Sequence, residues 1–268
     1  MTDDLAMADT ALITGASSGI GEALADCFAA AGMALVLVAR RTDKLEALAR
    51  RLRGEHDVKV TVLGADLSQP NAPQALSQQI RRRRITIDIL VNNAGVLVQG
   101  GFAEMQTADH RAMIDLNIAG LTAMLTEFVP GMKKRGYGRV LNVASIAAFQ
   151  PVPSLATYAA TKAYVLSLSE SLSEELRDTG VTVTALCPGI TATPMLELAS
   201  DANDRLSRLP GVLVSDVHAV AAEGFAACMR GDAVLVPGVL NRAAMVAGRA
   251  IPKWLLRRIA GVVTRQIR

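Results

Sequence analysis

The sequence predicts an α/β protein: one doubly wound, seven-stranded parallel sheet with helices on both faces. Short apolar runs alternate with longer segments of helical period, and this repetition calls for parallel pairing through right-handed crossovers. Runs such as "ALVLVA" at 34–39 are continuously apolar, which is typical of strands buried on both faces. The 268 residues, 51% of them hydrophobic, are enough for one well-buried core.

Seven apolar runs bounded by turn residues are predicted to be strands: 11–14, 34–39, 58–63, 87–91, 139–143, 181–186 and 233–236. Segments 21–31, 42–53, 73–82 and 154–177 have the length and composition of helices, with Gly32 and Gly180 placed to end the first and the last of them. We therefore expect one domain over residues 1–238, with a lid at about 190–215, and a C-terminal extension over 239–268.

Composition argues against several classes of function. Aromatic residues make up only 3% of the chain, too few for a protein that stacks nucleic-acid bases, so we expect no nucleic acid partner. Three widely separated cysteines without a C-x-x-C pair predict neither a disulfide framework nor a metal site, and favour a reducing compartment. The acidic N-terminus is unlike a secretory signal. We expect a cytoplasmic protein.

The C-terminal extension is basic, because no acidic residue follows Asp232. If residues after Pro252 are helical, one side is apolar and the other cationic. The apolar side carries Leu255, Leu256, Ile259, Val262, Val263 and Ile267, and the cationic side carries Arg257, Arg258, Arg265 and Arg268. We expect this amphipathic helix to pack on protein, at the substrate pocket or at an oligomer contact. Peripheral contact with an anionic membrane, aided by Trp254, is the alternative.

The stretch "TGASSGIG" at 14–21 follows the first predicted strand and allows two interpretations. Ser17 lies in a G-x-S-x-G pattern, the nucleophile elbow of hydrolases, but that interpretation needs a central strand and a late histidine. The available histidines, His56, His110 and His218, have surroundings that suit surface or structural roles. The alternative is a phosphate-binding turn at the start of a helix, where Gly15, Gly19 and Gly21 admit the pyrophosphate and Thr14, Ser17 and Ser18 add hydroxyl donors. The strand, turn and helix order favours the second.

Further motifs occur along the chain: "NNAG" at 92–95, Asn117, Ser145, "YAATK" at 158–162 and "PGITATPM" at 188–195. With the glycine-rich turn, this series resembles the short-chain dehydrogenase/reductase family in order and approximate spacing, over most of the chain. The resemblance implies a Rossmann-like domain, a nicotinamide cofactor, and a homodimer or homotetramer.

Four residues are predicted to be catalytic. Tyr158 and Lys162 are four residues apart in a helical segment, so they share a face. A neighbouring ammonium and a cationic nicotinamide ring should lower the pKa of Tyr158 and make it a general acid/base. Ser145 is predicted to orient the substrate oxygen. The resemblance implies that Asn117 holds a water that links Lys162 to solvent.

The resemblance also implies cofactor contacts from most of the motifs. These are Gly15, Ser17, Ser18, Gly19, Ile20, Gly21, Asp66, Leu67, Asn93, Ala94, Gly95, Tyr158, Lys162, Pro188, Gly189, Thr191 and Thr193. Thr191 stands where an aliphatic residue is more usual, and Asp66 taken alone could simply cap a turn.

The end of the second strand bears on the choice of cofactor. An NAD enzyme carries an acid there, whereas this chain has Ala39 followed by Arg40 and Arg41. Two guanidinium groups suit a 2'-phosphate, so we predict NADP(H) rather than NAD(H).

Ile146, Phe149, Val152, Met195, Leu196 and Leu198 suggest an apolar substrate pocket, although the same residues could serve packing. The sequence thus favours an NADP(H)-dependent oxidoreductase that interconverts a carbonyl and a secondary alcohol. A catalytically silent cofactor-binding regulator and a serine hydrolase using Ser17 are the alternatives.

Overall fold

The computed structural model describes residues 9–194, 214–238 and 241. Its seven strands are β1 (Thr10–Thr14), β2 (Ala34–Ala39), β3 (Val60–Gly64), β4 (Ile89–Asn92), β5 (Gly138–Val143), β6 (Val181–Leu186) and β7 (Val234–Leu235). They form one parallel sheet in the order β3-β2-β1-β4-β5-β6-β7. The predicted fold class is confirmed, and each predicted strand overlaps an observed one.

Seven helices occur in the described part of the chain: α1 (Gly19–Ala30), α2 (Thr42–His56), α3 (Ala72–Arg82), α4 (Thr107–Ile114), α5 (Leu121–Arg135), α6 (Ala156–Glu175) and α7 (Val217–Arg230). A π segment (Asp115–Gly120) joins α4 to α5, and a short 3-10 turn (Ile146–Phe149) precedes α6. The prediction that Gly180 ends α6 is wrong. The helix ends at Glu175, and Gly180, with φ of 77°, instead leads into β6, where its carbonyl accepts from Gly138 N at 3.2 Å.

Two apolar cores lie on opposite faces of the sheet. One is formed with α1, α2 and α7, and includes an edge-to-face pair between Phe28 and Phe225 with ring centroids 5.0 Å apart. The other is formed with α3, α5 and α6. Successive residues of β1 alternate between them, Ile13 in the first and Leu12 in the second. Burial of both faces explains why the strand sequences read as continuous apolar runs.

The helical run Thr107–Arg135 is long and apolar enough to cross a membrane by length and composition alone, with a mean hydropathy of 1.4. In the fold it is the crossover from β4 to β5, and Met113, Met124 and Met132 on it are fully buried. These three methionines belong to the apolar clusters of this domain.

The strand order places a crevice above β1 and β4. Leu12 of β1 lies opposite Val36 of β2 on one side and Leu90 of β4 on the other. The connections after β1 and β4 leave in opposite directions, and ligands of open α/β sheets bind at such a switch point, at the carboxyl ends of the strands. Most of the predicted lid at about 190–215 lies outside the described residues, namely residues 195–213 with Met195, Leu196 and Leu198. The C-terminal extension, apart from Asn241, also lies outside the described residues. The predicted domain boundaries stay a prediction.

Candidate active site

The glycine-rich turn after β1 has a backbone that only glycine adopts without strain. Gly15 and Gly19 have φ of 66° and 61°, and a Cβ on Gly15 would lie 2.9 Å from Ala94 Cα. Helix α1 starts at Gly19, so the free N–H groups of its first turn and its positive dipole end face the carboxyl edge of the sheet. This turn brings backbone donors to the crevice.

Thr14 binds the glycine-rich turn to the "NNAG" segment. Its hydroxyl donates to Val91 O at 3.1 Å and accepts from the backbone N–H groups of Asn93 and Ala94, both at 3.0 Å. Asn93 Nδ2 donates in turn to the carbonyls of Thr14 and Gly15. The expectation that Thr14 offers its hydroxyl to a phosphate is wrong, because that group is buried and already used within the protein.

Ser17, Ser18 and Arg41 form a hydrogen-bonded polar cluster at the start of α1. Ser18 is the N-cap residue, yet its side chain does not cap the helix, and Arg41 Nη2 donates to Ser18 Oγ at 3.1 Å and to Ser17 Oγ at 3.2 Å. An exposed guanidinium, two hydroxyls and a helix N-terminus together fit a phosphate. The neighbour of Ser17 is thus a cation and not a histidine, which argues against a serine hydrolase.

Arg40 acts near Asp66, beyond the end of β3. Asp66 Oδ1 accepts from Ser68 Oγ at 2.7 Å and from Ser68 N at 3.2 Å, and these bonds, followed by the positive charge of Arg40, hold the pKa of Asp66 below its usual range. Asp66 therefore does cap a turn with one oxygen. The side chains of Leu67 and Ile20 pack into the two cores, so a cofactor would meet these residues through their main chains.

Ser145 and Tyr158 meet at the carboxyl end of β5. Ser145 is the N-cap residue of the 3-10 turn and its Oγ accepts from Ala147 N at 3.1 Å. Burial raises the pKa of Tyr158 to about 12, and a hydrogen bond with Ser145 acts in the opposite direction. The two hydroxyls are therefore adjacent, with Tyr158 buried and Ser145 half-buried.

Lys162 lies one helical turn beyond Tyr158. Its Nζ donates to Val143 O at 2.8 Å and stands 5.8 Å from the centroid of the Tyr158 ring. Burial lowers the pKa of Lys162 to about 8, against a smaller opposing effect of Cys187. Desolvation favours the neutral forms of both groups, so it raises the pKa of Tyr158 and lowers the pKa of Lys162. The lowering of the Tyr158 pKa by the ammonium together with a cationic nicotinamide ring stays a prediction.

Asn117 lies in the π segment, and its side chain is fully engaged. Oδ1 accepts from Val96 N at 2.9 Å, while Nδ2 donates to Val96 O at 2.9 Å and to Thr161 Oγ1 at 3.1 Å. Both amide protons are therefore used to join the segment after β4 to α6. The predicted water link from Asn117 to Lys162 stays a prediction, and these two amide protons are not free to hold that water.

The loop after β6 closes the crevice from the other side. Pro188 is buried, Thr191 Oγ1 donates to Gly189 O at 3.1 Å, and Thr193 Oγ1 donates to Thr191 O at 3.3 Å. A Cβ on Gly19 would lie 3.2 Å from Thr193 Cγ2, so this loop touches the glycine-rich turn. The Thr191 hydroxyl is thus used in a hydrogen bond within its own loop, whereas the Thr193 methyl group faces the glycine-rich turn.

Two contributors to the site are absent from the sequence-based prediction. Asn241 packs on the loop after β6, where a Cβ on Gly189 would lie 2.6 Å from its Nδ2, and a residue this far along the chain has no local signal for that role. The segment after "NNAG" supplies Val96, Leu97, Val98 and Met105 to an apolar cluster around Tyr158. The apolar run "VLV" at 96–98 is a signal that could have identified this wall.

Outside the crevice, Asp26, Glu55 and His56 bring potential metal-ligating atoms within 4.8 Å of one another. Arg51 already bridges this group, since its Nη1 lies 2.7 Å from Asp26 Oδ1 and 3.0 Å from Glu55 Oε2. We therefore interpret it as a surface ion-pair network.

Known proteins are similar to this chain in sequence and in fold. A model of the short chain dehydrogenase family matches residues 9–204. The oxidoreductase UcpA of Salmonella typhimurium is 39% identical over 189 residues, which cover 70% of this chain and 71% of that protein. A short-chain dehydrogenase from Sphingobium yanoikuyae, solved in complex with NADPH, is 36% identical with a TM-score of 0.80, covering 91% of this chain and 96% of that one.

A second solved structure is an alcohol dehydrogenase from Comamonas testosteroni described as specific for bulky-bulky ketones. It is 32% identical with a TM-score of 0.76, and the match covers 92% of this chain and 96% of that chain. Since the family model covers most of the chain and these relatives match it over at least 70% of their length, the protein is an oxidoreductase that belongs to the short-chain dehydrogenase/reductase family.

Proposed function

We propose that this protein uses NADP(H) to interconvert a ketone with apolar substituents and the corresponding secondary alcohol. The observation that carries the proposal is the array of Ser145 with the buried Tyr158 and Lys162, beside a turn with two serine hydroxyls and a guanidinium. The array can move a proton at an oxygen atom, and the turn can hold a phosphate. A family relationship alone would not distinguish an active enzyme from a silent cofactor-binding regulator, whereas these side chains are the ones turnover requires.

Tyr158 is the proposed proton donor in the direction of reduction and the acceptor in oxidation. Its pKa of about 12 keeps the hydroxyl protonated at neutral pH, which suits the donor role. The nicotinamide would supply the hydride in reduction and accept it in oxidation. Ser145, hydrogen-bonded to Tyr158, can hold the substrate oxygen with its hydroxyl and so align it for the transfer.

Lys162 and Asn117 serve the same reaction from behind Tyr158. With a pKa of about 8, Lys162 can release and regain a proton near neutral pH, and it lies on the same helix face as Tyr158. A Cβ on Gly95 would lie 3.2 Å from Asn117 Oδ1 and 3.6 Å from Lys162 Nζ, so these two groups flank Gly95. We propose that protons reach Lys162 from solvent through a water near Asn117.

The cofactor preference rests on the cationic end of the crevice. Arg41 donates hydrogen bonds to both serines of the turn, and the positive charge of Arg40 acts on Asp66 and lowers its pKa. The residue that ends β2 is Ala39, so the strand offers no carboxylate to a ribose 2'-hydroxyl. The NADPH complex of the Sphingobium yanoikuyae relative supports the same choice.

The substrate class follows from the wall around Tyr158. Met113, Ala147 and Ala159 are buried beside it, and Val98, Met105 and Val152 are partly buried against them. Such a surface favours apolar substituents on the carbonyl carbon. The ketone specificity of the Comamonas testosteroni relative agrees with this proposal.

We also propose a cytoplasmic homodimer or homotetramer. Cys27, Cys187 and Cys228 are all free thiols, and burial raises the pKa of Cys187 and of Cys228 to about 12, which suits inert thiols of a reducing compartment. Light scattering of the purified protein at several concentrations measures its subunit number.

A panel of ketones and secondary alcohols graded in bulk, assayed at 340 nm with NADPH or NADP, tests the proposed reaction. Turnover with at least one ketone, lost in Tyr158→Phe, is expected. Cofactor binding without turnover across the panel would instead identify a silent regulator. Labelling of Ser17 by a serine-directed phosphonate would favour the hydrolase.

A further inference from the structure

A second polar link joins the region of α4 to the helix that carries Tyr158, beside the link made by Asn117. His110 Nδ1 lies 2.8 Å from Thr157 Oγ1, and its Nε2 lies 3.3 Å from Phe102 O. A carbonyl can only accept, so in the neutral ring Nε2 donates to Phe102 and Nδ1 accepts from the Thr157 hydroxyl. The Phe102 ring also packs on the imidazole, with centroids 4.6 Å apart.

The two links repeat one pattern. Asn117 connects Thr161 of α6 to the main chain of Val96, and His110 connects Thr157 of α6 to the main chain of Phe102. We call them the inner bridge (Asn117–Thr161) and the outer bridge (His110–Thr157). His110 and Asn117 are seven positions apart, and Thr157 and Thr161 are four positions apart. With these spacings the two residues of each element lie on one face of it.

The bridges hold two points, Val96 and Phe102, of the segment that forms the apolar wall. Residues 96–106 are not in helix or strand apart from a short turn, and between the bridges Gly100 N donates to Ser154 O at 3.0 Å. The wall residues Val98 and Met105 belong to this segment, and they pack with Tyr158. The position of the wall relative to the tyrosine hydroxyl therefore depends on both bridges.

We propose that His110 is a positioning residue which, through the outer bridge, fixes segment 96–106 against α6 and so sets the width of the substrate pocket. His110 does not touch the reacting atoms: Thr157 precedes Tyr158 in the chain, and the effect passes through the segment and the first turn of α6. Discrimination between small and bulky ketones is the property that it controls. The substrate part of this proposal rests on the proposed function, whereas the bridge itself does not.

Hydrogen exchange of the purified full chain tests the bridge without any substrate. Breaking it by His110→Ala or Thr157→Val should speed exchange of the amides of 96–106 by about tenfold or more, since local opening then needs less free energy. Thr122→Val is the matched control, because it removes a hydroxyl bonded to Tyr164 OH at 2.9 Å between α5 and α6, away from the crevice. Unchanged exchange in both bridge variants, or equally faster exchange in the control, would overturn the proposal.

Kinetics on a ketone series from acetone to benzophenone tests the consequence for specificity. We expect His110→Ala to raise KM for the preferred ketone about tenfold, with kcat and the NADPH dissociation constant within about twofold of the unaltered protein. His110→Gln, which keeps a donor and an acceptor, should restore most of the difference. The double variant of His110 and Thr157 should be no worse than either single one, as residues that act through one bond are not additive.

A fall in kcat with KM unchanged would contradict positioning of the wall. An unaltered protein that reduces no ketone would refute the proposed function, and the exchange result would still decide whether the outer bridge holds the segment.

Discussion

The hydroxyl of Tyr158 is the proton donor of the proposed reduction, and its removal is the most direct test at the scale of one residue. Tyr158→Phe keeps the buried ring, so we expect kcat to fall about 1000-fold while the NADPH dissociation constant stays within about twofold. Steady-state rates and a cofactor fluorescence titration measure the two quantities. A variant with a tenth of the original kcat would have lost only about 1.4 kcal/mol of transition-state stabilisation, too little for the loss of the proton donor.

The buried ammonium of Lys162 should destabilise the fold in a pH-dependent way. Its pKa is about 8 in the folded protein against an ordinary value of 10.5, so the penalty is complete below pH 8 and is relieved as the pH rises from 8 to 10.5. At about 1.4 kcal/mol per pKa unit, burying the ammonium costs up to about 3 kcal/mol of folding free energy. A variant without the ammonium avoids this cost but loses the hydrogen bond to Val143 O, which contributes about 1 kcal/mol.

Lys162→Met should therefore be more stable than the unaltered protein at pH 7, by about 1 to 2 kcal/mol in urea unfolding, although inactive. The difference should shrink or change sign by pH 10. Tyr158 affects the unaltered protein and Lys162→Met alike, because folding favours its neutral form in both. Its raised pKa lowers stability only as the pH rises from 10 to 12. A difference that does not vary between pH 7 and 10 would contradict a lowered pKa of Lys162.

Arg40 and Arg41 should decide between the two nicotinamide cofactors. A charge-assisted bond to phosphate contributes on the order of 1.5 to 3 kcal/mol, so Arg40→Ala or Arg41→Ala should weaken NADPH about ten- to a hundredfold and leave NADH nearly unchanged. Arg50→Ala, an exposed arginine elsewhere on α2, is the control. Dissociation constants from fluorescence titration provide the comparison. Equal affinity of the unaltered protein for NADPH and NADH would rule out the preference.

At the scale of the structural element, the turn between β1 and α1 depends on close approach as well as on backbone conformation. Gly15 and Gly32 have similar φ, 66° and 75°, but a Cβ on Gly15 would meet Ala94 whereas one on Gly32 would meet nothing within 4 Å. Gly32→Ala should thus show the conformational strain alone, about 1 kcal/mol, and Gly15→Ala should add about 1 to 3 kcal/mol of overpacking.

Chemical unfolding measures both glycine variants. We expect only Gly15→Ala to weaken NADPH binding, because only that turn lies in the crevice. Equal destabilisation by the two substitutions would show that contact with the "NNAG" segment does not constrain the turn.

The elements themselves were largely predictable from local sequence, and their ends were not. Strand β2 was predicted to the residue because its six apolar residues are followed by two arginines. The end of α6 was missed since the helix stops at Glu175 before an irregular turn in which Asp178, and not only Gly180, has a positive φ. A glycine in the sequence marks a place where the chain can turn, but neighbouring contacts decide where the helix stops.

At the scale of the whole molecule, the C-terminal extension offers a prediction that rests on the sequence alone. Residues 251–268 combine an apolar side with a cationic side, and we expect them to pack on protein. Deleting them should lower the midpoint of thermal unfolding or change the subunit number in light scattering, without lipid present. If both stay unchanged while binding to anionic vesicles is lost, membrane contact is the role of this segment.

The sequence by itself determined the fold class, the order of the strands along the chain and the positions of the motifs, because these depend on local apolar patterns and on residue spacing. Tertiary structure decided how the polar groups are used. The Thr14 hydroxyl binds the "NNAG" segment, Asp66 caps a turn, and burial raises the pKa of Tyr158. His110 reaches Thr157 across 47 positions of the chain. Desolvation and contacts between distant residues produce these effects, and neither can be computed from spacing along the sequence.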